Sequence, residues 1–188
     1  MNPIKFPDLS IDIETLGLPA DSVIIQIALQ EFNADTGELG ACQVIYPNER
    51  EQMQVGRHIN FDTLSWWLKA NRELFGQILE APKVGHVEAK ALLIATMSPA
   101  RSYWFKHPMF DMNILNSCYN TEHELRACDP RAYRKIKDIA TLGPALLLPA
   151  PAFEGTPHDA QADARNQALW VIDCMRWIRN AQPRENES

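Results

Sequence analysis

Leu9, Ile11 and Ile13 alternate with Ser10, Asp12 and Glu14. A period of two sends the apolar set to one face of a strand and the polar set to the other. Val23–Phe32, VIIQIALQEF, reads as a second strand rich in β-branched residues. The Asn, Asp and Gly residues of Asn33–Gly40 make a turn-rich link, and Ala41–Tyr46 completes an antiparallel three-stranded meander ending at Pro47. Beyond this point the period changes. Leu64, Trp67, Leu68 and Leu74 give Phe61–Phe75 a ragged helical face, and Val87–Met97 predicts a second helix closed by Ser98 and Pro99. Arg101–Phe105 is a short strand, Phe110–Tyr119 a helix, and Tyr133–Ile139 a further strand ahead of Thr141–Leu148. Pro149, Pro151, Gly155 and Pro157 mark a loop. A long helix, His158–Arg179, follows, with Ala168, Val171, Ile172, Met175 and Ile178 as its buried stripe. Strands first, then strands alternating with helices, predict an α/β fold with a mixed sheet flanked by helices. No repeat or linker divides residues 1–179, expected to form a single domain, and the polar segment 180–188 is expected to be a disordered tail.

A chain of 188 residues is long enough to bury about 70% of its unfolded surface. No apolar run approaches the roughly 20 residues of a membrane-spanning helix. The start, MNPIKFPDLSIDIE, lacks the charged-then-apolar layout of a secretory signal. The expectation is a cytoplasmic protein with no membrane partner. Cys42, Cys118, Cys128 and Cys174 are scattered without a CxxC pair, which favours free thiols over a disulfide framework or a zinc site. A net charge of −6 argues against a broad basic face for nucleic acid. Four carboxylates assigned to metal binding would leave −2, so any nucleic-acid path must be a local channel.

The candidate chemistry is spread along the chain. Asp12 and Glu14, two apart in a strand, share one face at a spacing of roughly 6.6–6.8 Å. Buried unpaired, they would need a cation; alone, the pair favours a solvated strand face. Asp111 stands between apolar residues where a strand hands over to a helix, as a cap or as a ligand. His158 and Asp163 open the last helix, with Asp159 available as its cap. Inside a helix a five-residue offset separates two side chains by about 140°. Only a histidine on the lead-in can therefore share a site with Asp163. Singly, Asp163 reads as an exposed helix carboxylate and His158 as a loop residue. Together, four carboxylates and one imidazole are the inventory of a two-metal phosphoryl hydrolysis with a general base.

D-x-E in the first strand, an Asp in mid-chain and H-x4-D at the last helix resemble the DEDDh 3′–5′ exonucleases. DIETLGLPADSVIIQIALQEFNADTGE and HDAQADARNQA resemble the phage-type and Rv2179c-like exonuclease family in particular. The resemblance runs from about Asp8 to Arg179. It departs in Phe105-Lys106-His107-Pro108, where many relatives have a small or glycine-containing approach. It implies a ribonuclease-H-like fold, with parallel strands after the antiparallel ones, and a metal-dependent 3′–5′ exonuclease. It also implies two Mg²⁺ or Mn²⁺ ions, with Asp12 bridging them, Glu14 and Asp163 on the ion that activates water, and Asp111 supporting the second. His158 is the implied general base. Single-stranded DNA or RNA 3′ ends are the implied substrates, and a homodimer the implied assembly. Thr15, in that first motif, and Asp138, at a recurring acidic position, are candidate substrate residues, although a helix cap explains Asp138 as well. Trp66 and Trp67 are candidate base-stacking residues, at about 1–3 kcal/mol per base, or core. Arg134 belongs to the densest basic stretch, with Arg131, Lys135 and Lys137, a backbone guide or a solvated face. The competing functional readings are a non-catalytic nucleic-acid-binding domain of the same fold and a hydrolase of free nucleotides or short oligonucleotides.

Overall fold

The structure, a computed structural model, describes residues 4–181. β1 (Asp8–Thr15), β2 (Ile24–Phe32) and β3 (Leu39–Ile45) lead the chain. Next come α1 (Glu49–Gln54), α2 (Phe61–Ala70), α3 (Arg72–Glu80) and α4 (His86–Met97). β4 (Ser102–Phe105), α5 (Pro108–Tyr119), α6 (Thr121–Cys128), β5 (Ile136–Asp138), α7 (Ile139–Ala145) and α8 (Ala160–Ala181) complete it. The strands form one mixed sheet in the order β3-β2-β1-β4-β5. β2 is antiparallel to β1 and β3, whereas β4 runs parallel to β1 and β5.

β1 lies at the centre, and its alternation decides what each layer sees. Leu9, Ile11 and Ile13 pack with Leu93 and Met97 of α4 and with Ile114 and Leu115 of α5. Ser10, Asp12 and Glu14 therefore face the other side, where α8 lies. Ala160 and Ala164 of α8 pack on Ala28 of β2, and Ala168 continues the same row. Four-residue spacing keeps these small side chains on one stripe, so the helix axis approaches the sheet closely. A buried knot fixes the start of β1. Asp8, 1% exposed, accepts from Arg101 Nη2 at 2.7 Å, Ser102 Oγ at 2.7 Å and the Ala34 amide at 3.0 Å.

Several element boundaries differ from the sequence reading. The helix expected over 61–75 breaks at Asn71, which ends α2 and starts α3. Trp67 and Phe75 can then pack together with Ile78 beneath Leu16 and Ile25. α1 and α6 were not expected: each is short and has too few apolar residues to show a period. A 3-10 turn takes Ala132–Lys135, so the strand expected over 133–139 shrinks to Ile136–Asp138. β3 starts at Leu39 rather than Ala41. α8 begins at Ala160, leaving His158 on its lead-in, and runs to Ala181, so Asn180 is helical rather than part of a tail. The remainder of that tail, 182–188, lies outside the described residues. Met175 and Ile178 are only partly buried, whereas Ala168, Val171 and Ile172 are core. All four cysteines are free. Among the described residues no helix is long and apolar enough to cross a membrane.

Candidate active site

The close approach of α8 to β1 brings chemistry from the two ends of the chain together. Asp163 and Gln167 are one turn apart and share the face turned to the sheet. Gln167, 5% exposed, donates from Nε2 to Asp12 Oδ1 at 2.7 Å. A carboxylate only accepts, so the amide must turn its nitrogen to Asp12; Gln167 Oε1 is left buried without a partner. Carboxylate oxygens of Asp12, Glu14 and Asp163 all lie within 4.8 Å of one another.

Two more chain segments close the site. β4 runs parallel to β1 with Ser10 opposite Trp104, so the chain leaving β4 passes beside Asp12. Pro108 opens α5 immediately afterwards and places Asp111 in its first turn, 5% exposed. On the other side, Asp159 accepts from Gln26 Nε2 at 2.7 Å, while Gln26 Oε1 accepts from the Ala160 amide at 3.0 Å. These bonds fasten the entry of α8 to β2. His158 stands there in the left-handed region, φ 65°, and its main-chain amide donates to Asp163 Oδ2 at 2.8 Å. Its ring stands edge-on to Trp66, centroids 4.9 Å apart. The condition derived from the helical offset, a histidine outside the helix, is met. Asp12, Glu14, Asp111, His158 and Asp163 border one open cavity of about 510 Å³.

The cluster is electrostatically frustrated. Burial holds the Asp12 carboxyl well above the usual range, and the charges of Asp111 and Asp163 push it further; the Gln167 hydrogen bond and Lys106 pull back. Glu14 is raised by burial, then by Asp12, Asp163 and Asp111. Burial pushes Asp111 up to about 7 against main-chain hydrogen bonds. Asp163 is raised, again by burial, with the His158 amide opposing. Carboxylates so placed ionise together only with a cation among them. The ligand atoms are all hard oxygens, which suits Mg²⁺ or Mn²⁺ rather than a thiophilic metal.

A family model described as the 3′–5′ exoribonuclease Rv2179c-like domain matches residues 7–175. The chain belongs to that family. Membership makes this Rv2179c-like protein a nuclease of the 3′–5′ exonuclease class. No curated protein sequence matches it at a significant level. Solved structures share its fold. Magnesium- and manganese-bound Pop2p of S. pombe has TM-score 0.56 and 15% identity over 89% of this chain and 82% of that one. The nuclease domain of 3′hExo, a DEDDh family member bound to rAMP, has TM-score 0.53 and 13% identity over 94% of both chains. The zinc-bound E. coli ExoI–ssDNA complex has TM-score 0.60 and 16% identity over 94% of this chain, which spans 41% of that one. The sheet is thus the ribonuclease-H-like arrangement of these exonucleases.

The remaining sequence candidates separate in space. Thr15 borders the cavity, its hydroxyl donating to the Gly17 carbonyl at 2.6 Å. Trp66 is 40% exposed at the cavity wall. Trp67 is 1% exposed, stacks on Phe75 and donates from its indole nitrogen to the Thr15 carbonyl. It touches the cavity lining, yet at 1% exposed it leaves no open ring face for a base. Arg134 and Asp138 do not border the cavity. Arg134 donates to the Tyr133 hydroxyl in the 3-10 turn, and Asp138 caps α7 through the Thr141 amide and hydroxyl. Sequence reasoning missed Gln167 and Lys106. The four-residue spacing from Asp163 and a place in the closing motif were signals for Gln167; for Lys106 the signal was its place in the Phe105–Pro108 segment, which departs from the relatives.

Proposed function

We propose that this Rv2179c-like protein trims the 3′ end of single-stranded nucleic acid, RNA first, through a two-metal hydrolysis with His158 as general base. One observation carries the reading: Asp12, Glu14 and Asp163 converge to within 4.8 Å on a cavity that Asp111 and His158 also border. Asp12, Glu14 and Asp163 would hold Mg²⁺ or Mn²⁺, with Asp111 supporting a second ion. When bound, such ions supply Lewis-acid stabilisation of the attacking and leaving oxygens. Gln167 orients Asp12 and leaves Oδ2 free to face the site. His158, exposed beside Asp163, takes a proton from the attacking water through its imidazole. Trp66 and Thr15 line the place of the terminal nucleoside. The family's description as exoribonuclease favours RNA. The metals in Pop2p and the single-stranded DNA held by ExoI support a metal-dependent reaction on a strand end.

The test uses matched 5′-labelled RNA and DNA single strands with Mg²⁺ or Mn²⁺. A ladder shortening from the 3′ end is expected from the wild type and absent from folded Asp12→Asn and Asp163→Asn. Either variant trimming at the wild-type rate sinks the assignment. Saturating Mn²⁺ alone, at about 100 times its Kd, stabilises a single-site protein by about 2.7 kcal/mol. An unmoved wild-type melting midpoint would remove the metal site.

A further inference from the structure

The protein has a formal charge of −6, and four carboxylates floor the cavity in which a polyanionic strand would react. Ions held by those carboxylates would serve the phosphate that reacts; a phosphate farther along the strand still needs a cation placed locally, because the molecule as a whole stays acidic. Lys106 is the one lysine or arginine bordering the cavity among the described residues. It follows Phe105 at the end of β4, where the parallel register carries it alongside Asp12. Its charge reaches both Asp12 and Asp163.

Two further features mark this lysine. Lys83, Lys90 and Lys135 are committed to Glu49, Glu124 and Asp129. Lys106, like Lys5, Lys69 and Lys137, forms no ion pair among the described residues, and of these four it alone borders the cavity. It also stands on a divide. A small cleft of about 70 Å³ adjoins the site, walled by Pro151, Phe153 and Trp170, and Lys106 and Asp163 border both cleft and cavity. The cleft wall is held in place: Asn166 accepts from the Glu154 amide at 3.0 Å and donates to the Glu154 carbonyl at 2.8 Å. Phe153, 44% exposed, presents an aromatic surface beside it.

We infer that Lys106 is a substrate-binding residue that holds a phosphate oxygen of the strand at the rim of the catalytic cavity, on the side of the small cleft. The inference rests on the proposed function for the identity of the strand, and on its own geometry for the residue. An ammonium bond to a phosphate oxygen is a charge-assisted contact of the strength that shifts affinity about tenfold to a hundredfold.

Binding of 5′-labelled single-stranded RNA is followed by fluorescence anisotropy in Ca²⁺ at several salt concentrations, and turnover of the same strand in Mn²⁺. Lys106→Met should weaken binding at least about tenfold and flatten the log–log salt slope by about 0.7, the share of one single-strand phosphate. KM should rise more than kcat falls, the Mn²⁺-induced thermal shift should persist, and Lys106→Arg should recover most of the affinity. A wild-type salt slope and KM in Lys106→Met would overturn the inference. So would loss of the Mn²⁺ shift, which would show that Lys106 acts only through the carboxylates. If the wild type binds RNA without cleaving it, the exonuclease reading fails, and the slope comparison still decides Lys106. A wild type that binds no strand refutes both.

Discussion

Neutralising Asp111 should make the metal-free protein more stable while destroying its activity. The carboxyl is 5% exposed, and burial moves it from the ordinary 3.8 to about 7. Each tenfold change in proton affinity is about 1.4 kcal/mol, so the ionised group costs the folded apoprotein on the order of 4 kcal/mol above that pH. The sign follows from linkage: the folded state holds this proton more tightly than the unfolded state. Its contribution is complete below the unfolded value of 3.8 and is lost as pH rises through about 7. Asn keeps a carbonyl oxygen for the main-chain donors and also lifts the Asp111 charge from Asp12. Allowing about 1 kcal/mol for an imperfect amide contact, Asp111→Asn should gain about 2–4 kcal/mol near pH 8, or roughly 5–15 °C in a chain of this length. The gain should vanish near pH 4. Urea unfolding of both proteins in chelator at about pH 4, 6 and 8 measures it. A difference independent of pH, or no gain near pH 8, would show that this carboxyl ionises freely, and the account of a desolvated cluster awaiting a cation would fail with it.

Three further outcomes are expected. His158→Gln should lower kcat by about 10²–10⁴ while the Mn²⁺-induced thermal shift is kept; an unchanged kcat would remove the base from His158. Gln167→Leu should weaken Mn²⁺ affinity about 10- to 100-fold, as loss of a bond that orients a metal ligand does. It should cost little stability, since Gln167 Oε1 is already unpartnered. Wild-type Mn²⁺ affinity by isothermal titration would show that Asp12 needs no such support. Asp8→Ala should cost about 2–3 kcal/mol, because Asp8 ties the start of β1 to Ser102 and the Ala34 amide, whereas Arg101, half exposed, keeps Asp35. A loss under about 1 kcal/mol in urea unfolding would mean that this buried knot is dispensable.

How much of this was legible in the sequence follows from the range of each cause. Alternation in β1 is a local steric property, so Leu9, Ile11 and Ile13 declared one face and Asp12 with Glu14 the other before any partner was known. Helical periodicity likewise announced α8, and the five-residue offset required His158 to stand outside it, as it does. The motif around Asp163 carried the family. Burial and distance, by contrast, belong to pairs of elements. Trp66 and Trp67 are neighbours of identical type, and only the break at Asn71, which folds α3 back under β2, buries one and leaves the other at the wall. Asp138 and Arg134 had the composition of a substrate site, yet the short β5 and its 3-10 turn place them away from the cavity. Lys106 was an ordinary loop lysine until the parallel pairing of β4 with β1 set it beside Asp12. Sequence alone determined which side chains share a face, because adjacent backbone geometry does that. Tertiary structure decided which faces meet and how closely, because the row of alanines lets α8 sink onto the sheet and bring Asp163 to within 4.8 Å of Asp12 and Glu14.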